Sequence, residues 1–393
     1  MAGSTLSVLS SVWRMTTAQA LSMTVMNINI ITTGLAGALL SPVSWLATLP
    51  LSVQFVSTML MTLPVSLLMA RFGRRVVFLA GALLAICATL TQAYALYTGQ
   101  FLLFCIGACL LGGGHAIAQF YRYAAADSVS PQDKPKAVSL ALAGGLVAAI
   151  FGPELSHRLV GAVDGALYAG CFLGAAMVQC LALPILASMP TLTFSHLKNR
   201  GRPLGVFFKI PAFRLGVCAA ALGYAVMSFL MTAVPLQIVN VSLLGDAINA
   251  RVIQWHVIAM FAPSFFTGSL IARFGARPVM FTGLLCYFFS MFSALSGLQF
   301  WHYFVALSFV GLGWNFLYTG GTTLIALLTE PEERGRVQGM ADMIIFIAVA
   351  CASLSAGVLH IIGGWQAIIF STILLTAFLT AVVAFTSYRQ PPS

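Results

Sequence analysis

Apolar runs of helical length follow one another along this chain, separated by short breaks of Gly, Pro and charge. A helix that crosses a bilayer needs about 20 predominantly apolar residues. Reading the runs between breaks predicts twelve spans. In the first half they are Thr17–Leu40, Ser44–Met69, Val76–Tyr97, Phe101–Ala124, Ala137–His157 and Ala166–Ser188. In the second half they are Phe213–Leu236, Ala250–Ile271, Pro278–Leu298, Trp301–Leu328, Val337–Leu359 and Gly364–Phe385. The longest interruption, Met189 to Pro211, carries Pro190, Pro203 and several bases. It predicts an all-α membrane protein of two six-helix bundles, residues 1–188 and 212–393, joined by a linker over 189–211.

Composition agrees. Hydrophobic residues are 60% of the 393 and charged residues 7%, against roughly 45–50% and about 25% in soluble domains. There is too little charge to coat a water-facing exterior, so the main solvent is lipid. The net charge of +10 would fit a nucleic-acid partner, but its distribution excludes one. Arg14, Arg71, Arg74, Arg75, Lys134, Lys136, Lys198, Arg200, Arg202, Lys209, Arg214, Arg273, Arg277, Arg334, Arg336 and Arg389 all fall on one side of the spans. Only Arg158 and Arg251 fall on the other side, with Arg122 inside a span. The positive-inside rule makes that basic side, with both termini, cytoplasmic. Trp45, Trp301 and Trp365 lie near the outer span ends, where amphipathic rings settle. Met1–Arg14 reads as a short cytoplasmic arm, not a cleaved signal. The eight cysteines sit in apolar runs without metal or redox spacing and read as packing residues. The six scattered histidines and the lack of a phosphate-binding loop argue against an enzyme, a metal, a cofactor or ATP-driven transport.

The chain also repeats itself. Ala70-Arg71-Phe72-Gly73-Arg74-Arg75-Val76-Val77, between the second and third spans, is matched by Ala272-Arg273-Phe274-Gly275-Ala276-Arg277-Pro278-Val279, 202 residues on. Pro131-Gln132-Asp133-Lys134-Pro135-Lys136 is echoed by Pro331-Glu332-Glu333-Arg334-Gly335-Arg336 at an offset of 200. Two matched loops mark a parallel duplication of a six-helix unit, an architecture whose halves rock about a midplane site. A channel needs no such duplication.

The twelve spans, the basic linker and the Arg-Phe-Gly-x-Arg loops resemble the major facilitator superfamily over the whole chain. The resemblance implies a secondary transporter working by alternating access in the bacterial inner membrane, with Arg71, Gly73, Arg74, Arg75, Arg273, Gly275 and Arg277 in the conformational gate. The family's loop usually carries an Asp where this chain has Ala70 and Ala272. Asp127 or Asp342 is the substitute carboxylate available nearby. Gly113-Gly114-His115, Gln119 to Asp127, Trp255-His256 and Met260 to Gly268 are similar to a group of proteobacterial permeases that includes riboflavin transporters.

Intramembrane ionisable groups cost at least ~2.5–3.5 kcal/mol on insertion scales and mark function. His115, Gln119 and Arg122 fall at i, i+4 and i+7, one face of the fourth span. Arg122 stays charged, so it can hold a substrate or a carboxylate but cannot carry a proton. His115 can carry a proton or hydrogen-bond a substrate. Glu154, after Gly152-Pro153 in the fifth span, is a proton-coupling candidate because an apolar setting favours a protonated carboxyl. Arg158 at i+4 offers it a static pairing instead. Gly144, Gly145, Gly152 and Pro153 resemble part of an antiporter signature, which leans the direction to export; the riboflavin-transporter resemblance leans it to uptake. Asp342, near the start of the eleventh span, reads as a gate or cap. Asn27, Gln54, Tyr123, His256, Trp314, Asn315 and Tyr318 complete a substrate lining of amide and aromatic character, suited to a planar or amphipathic organic molecule. The offsets pair His115 with Asn315 and Gln54 with His256. The expected partners are a small organic solute, protons and the bilayer, and the expected working unit is a monomer.

Overall fold

The computed structural model describes residues 2–129, 134–189 and 202–386. The side chains of Tyr123, Asp127, Lys134, Lys136 and Arg334 lie outside what is described, as does the linker over 190–201. Among the described residues, eight helices are long and apolar enough to cross a membrane, nine when the bent pair Asp246–Phe261 and Ser264–Phe274 is taken as one span. The last of them, Arg336–Phe385, is two spans joined at Gly364, whose backbone leaves the helix (φ 64°, ψ −163°). Lys134–Leu159 and Phe300–Leu327 complete the twelve. The first helix begins at Ala2, so the predicted arm continues the first span instead of preceding it.

Several spans are interrupted where the sequence predicts continuity. The fourth runs Phe101–Ala118 and resumes as Tyr121–Asp127. The sixth breaks at Leu181. The seventh, Pro211–Leu236, widens into a π turn over Gln237–Val241. The eighth breaks at Ala262-Pro263, where proline supplies no N–H and cannot continue the ladder.

The duplication survives in three dimensions. Gly73 (φ 80°) and Gly275 (φ 85°) each end one helix and start the next, a backbone conformation that glycine adopts without steric cost. Arg71 lies over Phe72 at 5.3 Å, and Arg273 over Phe274 at 5.2 Å. Arg74 is buried, while Arg71 and Arg273 are exposed. Arg75 and Arg277 are half-buried, and Arg277 hydrogen-bonds the Thr386 carbonyl at the chain's last described residue.

Within each half, helices meet at glycines, as close packing in lipid requires. A Cβ at Gly112 would stand 2.2 Å from the Gln54 carbonyl oxygen, and one at Gly311 2.5 Å from that of His256. Likewise Gly114 lies against the Gly81 carbonyl and Gly313 against that of Gly283. The packing register between spans four and ten is therefore one residue short of the 200-residue offset. It sets His115 against Trp314, not Asn315. Gln54 and His256 keep their predicted correspondence.

The halves meet through spans two and eleven, five and eight, and one and seven. Gly145 of span five lies against the Phe261 ring of span eight, and Gly144 and Gly152 against span one. Away from the linker, Ser353 of span eleven bonds Ser52 of span two (3.3 Å) and Thr232 of span seven (3.2 Å). Tyr168 donates to Asp246 at 3.3 Å, and the Thr48 side chain lies against Gly357. This far face is thus closed by contacts between the halves.

The linker's second end is clamped to the second half. Arg202 gives Glu333 two side-chain bonds, Nε to Oε1 (2.9 Å) and Nη2 to Oε2 (2.7 Å), and a third from its backbone N–H (2.7 Å). Arg202 also lies over the Phe207 ring at 4.7 Å, and Phe207 is fully buried beside Phe213 and Val337. The side-chain bonds and then the backbone bond from Arg202 hold the Glu333 carboxyl down at about 2. A depressed carboxyl stabilises the folded state above its unfolded value, near 4.3, and loses that contribution as pH falls toward the folded one. The clamp is therefore expected to persist at neutral pH and to release only between about pH 4 and 2. In amide hydrogen exchange, Arg202→Ala should expose residues 204–210 at pH 7; equal protection in mutant and wild type would show that Phe207 packing alone fixes the segment.

Two predictions, about the cysteines and the tryptophans, change. Cys105, Cys171 and Cys286 are buried as expected, but Cys87, Cys109, Cys180 and Cys351 are exposed on the bundle surface. Trp45 and Trp301 are exposed as anchors should be, whereas Trp365 packs inward and donates to the Ala294 carbonyl (3.1 Å).

Candidate functional site

Between the halves lies a cavity of about 340 Å³, within the usual span for small-molecule sites. Its far end is closed by the contacts of Ser52, Thr232 and Ser353. Toward the linker face it is lined by Gln19, Gln119, Arg122, Thr322 and Asp342. Most of the predicted site residues converge here: Asn27, His115, Gln119 and Arg122 from the first half, and His256, Trp314, Asn315, Tyr318 and Asp342 from the second.

The fourth-span stripe is built by its helical spacing. The Gln119 amide nitrogen lies 2.8 Å from His115 Nε2; with the amide donating, Nε2 accepts and the ring proton sits on Nδ1. The helix breaks at Gln119-Phe120, and Arg122 follows in the resumed helix, half-buried at the cavity wall. Its charge acts on His115, on Tyr224 of span seven and on Asp342 of span eleven.

The opposite wall is aromatic. Trp314 and Tyr318 stack with ring centroids 4.9 Å apart and planes 10° from parallel. Tyr224 meets both edge-on, at 5.3 Å and 5.7 Å. Phe261 and Phe346 extend the cluster. Tyr224 was not among the residues singled out from sequence, nor were Met227 and Met231, which share its helix face at i+3 and i+7 and also line the cavity. That spacing was readable, but a Tyr among apolar residues gives no signal that separates a site from packing.

Two predicted lining residues serve the scaffold as well. Asn27 donates to the Ala148 carbonyl of span five (3.0 Å). Asn315 donates to the Met260 carbonyl and to Ser264 Oγ, both at 2.7 Å, and accepts from Thr267 Oγ1 at 2.7 Å. These three partners straddle the break at Pro263, so one amide bonds the broken span on both sides. His256 Nδ1 donates to the Leu307 carbonyl at 2.7 Å.

Other predicted residues lie elsewhere. Gln54 is fully buried behind the wall, where it accepts from Asn29 (2.5 Å) and donates to Met26 Sδ (3.0 Å). Glu154 does not reach the cavity. It is exposed and paired with Arg158 at 2.6 Å, so the static alternative is the arrangement present. Gly152 and Pro153 are both buried, Gly152 against Asn27 of span one.

The Major Facilitator Superfamily model matches residues 12–250 and 215–393, which together cover nearly the whole chain. The chain belongs to the major facilitator superfamily. Among curated facilitators, the riboflavin transporter RfnT of Brucella anthropi is 41% identical over 360 residues, covering 90% of each chain. Among solved structures, this facilitator is similar to the nucleoside transporter NupG (TM-score 0.68, 12% identity, covering 95% of this chain and 99% of that one). It is likewise similar to a bacterial homologue of the iron transporter ferroportin in an outward-facing state (TM-score 0.67, 13% identity, covering 95% and 98%). At such low identity the two structures speak to the fold alone.

Proposed function

We propose that this facilitator carries a planar, vitamin-like aromatic solute such as riboflavin across the bacterial inner membrane by alternating access, with the linker face and both termini in the cytoplasm. The observation that carries the reading is the two-walled cavity. Stacked Trp314 and Tyr318, with Tyr224 edge-on, offer flat apolar surface, while His115, Gln119 and Arg122 offer hydrogen bonds opposite. A conjugated ring system with a polar edge or tail satisfies both walls. The 41% identity to a riboflavin transporter supports that solute class. The basic residues on the linker face support the orientation. The reading includes coupling to protons and uptake as the direction. The glycines of span five, which lean toward export by resemblance, are occupied in packing against spans one and eight, and we give them no directional weight.

The test is titration of purified protein into riboflavin, read by loss of flavin emission. Saturable quenching is expected in the wild type. Trp314→Ala should weaken binding roughly 10-fold, for loss of a stacked face of about 1 kcal/mol plus buried area. Wild-type protein that leaves flavin emission unchanged would sink this solute assignment.

A further inference from the structure

Five of the thirty described residues that line the cavity are methionines, although methionine makes up only 16 of the 393 residues. That share is several times the chain's own, so the cavity wall is not simply a sample of its apolar helices. Met23 and Met26 come from span one, Met227 and Met231 from span seven, and Met260 from span eight just before its break. Spans one and seven open the two halves, so thioethers reach the cavity from both. Met227 and Met231 share a helix face with Tyr224, the ring that meets the aromatic stack edge-on. We propose that these methionines make the transporter tolerant of the solute's ring substituents, so that it carries a class of flat heteroaromatic solutes and not one compound. The inference rests on the aromatic-solute reading above and divides recognition within that same site.

The physical argument is one of stiffness. A wall of branched aliphatic side chains fits one outline. Val and Ile are held near a single χ1 rotamer in a helix, and an extra methylene pressed against a close-packed wall forces neighbours off their rotamers. Methionine has no branch and three rotatable bonds, so its methyl can move aside from one staggered well to another. Its polarizable sulfur also makes favourable contacts with aromatic rings, whichever ring edge arrives. Surfaces rich in methionine that repack in this way are a recurring route to accepting several partners.

The rest of the wall does not share this freedom. Trp314 and Tyr318 are stacked, with Tyr224 against both. His115 is tied to Gln119, and Asn315 is fixed by three bonds at the helix break. Met26 is the exception among the methionines, because Gln54 donates to its sulfur at 3.0 Å. The adjustable set is therefore Met23, Met227, Met231 and Met260. The fixed groups demand a flat ring and a polar edge, while the methionines leave the outline of the ring open. Tolerance has a cost, since a methionine ordered against a solute gives up rotamer freedom. No single solute is then held as tightly as a rigid wall would hold it.

The test compares riboflavin with two homologues, one carrying ethyl groups in place of its two ring methyls and one lacking both methyls. Each is titrated by emission quenching. Wild-type dissociation constants for the three should agree within about 5-fold. The double variant Met227→Ile with Met231→Ile stiffens the wall at similar volume. It should keep riboflavin binding within about 3-fold and weaken the ethyl homologue at least about 10-fold. Leucine at both positions should narrow tolerance in the same direction by less, and it stands in if the isoleucine pair fails to fold. Wild-type rejection of the ethyl homologue by about 10-fold or more, or variants as tolerant as the wild type, would overturn the proposal. A second measurement needs no solute. In protein labelled with carbon-13 at the methionine methyls, the signals lost in Met23→Leu, Met227→Leu and Met231→Leu identify the cavity methyls. These should show shifts averaged over rotamers, and methyls fixed in single rotamers would also overturn the proposal. Averaged methyls in wild-type protein that leaves riboflavin emission unchanged would strike the solute assignment and leave the adaptable wall standing.

Discussion

Arg122→Ala should abolish transport while leaving the protein folded. Arg122 is the guanidinium lining the cavity, on the polar face it shares with His115 and Gln119. Hydrogen bonds to a charged group contribute roughly 1.5–3 kcal/mol each, so losing two of them lowers solute affinity by about 100-fold or more. The fold should tolerate the change, because packing around Arg122 is carried by neighbours. Tyr121, Ala124 and Ala125 are buried in the first-half core, and Tyr121 meets Phe78 edge-on at 4.8 Å. Initial uptake rates in liposomes, alongside the detergent elution profile, would check both parts. Near-normal flux in the mutant would remove Arg122 from the site. Lysine should rescue only partly, since a point charge does not reproduce the guanidinium fork.

The second large effect is on stability. Asn315→Leu should destabilise the second half by roughly 2–3 kcal/mol, because Asn315 is itself buried and the Met260 carbonyl, Ser264 and Thr267 all lose the amide that joins them. Interhelical hydrogen bonds in lipid average only about 0.6 kcal/mol, so an ordinary bond of this kind would barely register. Asn315 differs in making three at one helix break. Thermal unfolding in detergent should show the loss. Asn315→Asp is the informative companion: it keeps the acceptor for Thr267 but cannot donate to Met260, and it should be destabilised too. Unchanged melting in both variants would mean that the break at Pro263 is held by packing alone.

The fold was largely legible because bilayer thickness imposes a length on apolar runs, and because the repeated Arg-Phe-Gly loops keep a backbone that depends on glycine. The breaks were less legible. Proline marks the one at Pro263, but the bend after Gln119 has no proline and no glycine at the break itself. In the site, the spacing of His115, Gln119 and Arg122 pointed correctly to one cavity face. Periodicity says which residues share a face but not whether that face looks inward, and for that reason the sequence could not choose between a coupling role for Glu154 and its pairing with Arg158. The carboxylate that does reach the cavity, Asp342, was readable as a gate or cap near a helix start but not as a cavity residue, since the cavity brings together spans four and eleven of different halves. Tyr224 escaped because tyrosine is ordinary in an apolar helix.

The near-symmetry of the two halves has a further use. The glycines that bring helices together, Gly112 with Gly311 and Gly114 with Gly313, are shared by both copies. Polar residues beside those glycines are not: His115 stands where the other copy has Trp314, and Gln54, behind the cavity wall, where it has His256 on the wall. After a gene doubles, both copies inherit the demands of folding, but a single bound molecule asks something different of each. The chain can therefore be compared with itself. Positions alike in both copies record ancestry and architecture, and positions where the copies part company are the first to vary when a new cargo is sought.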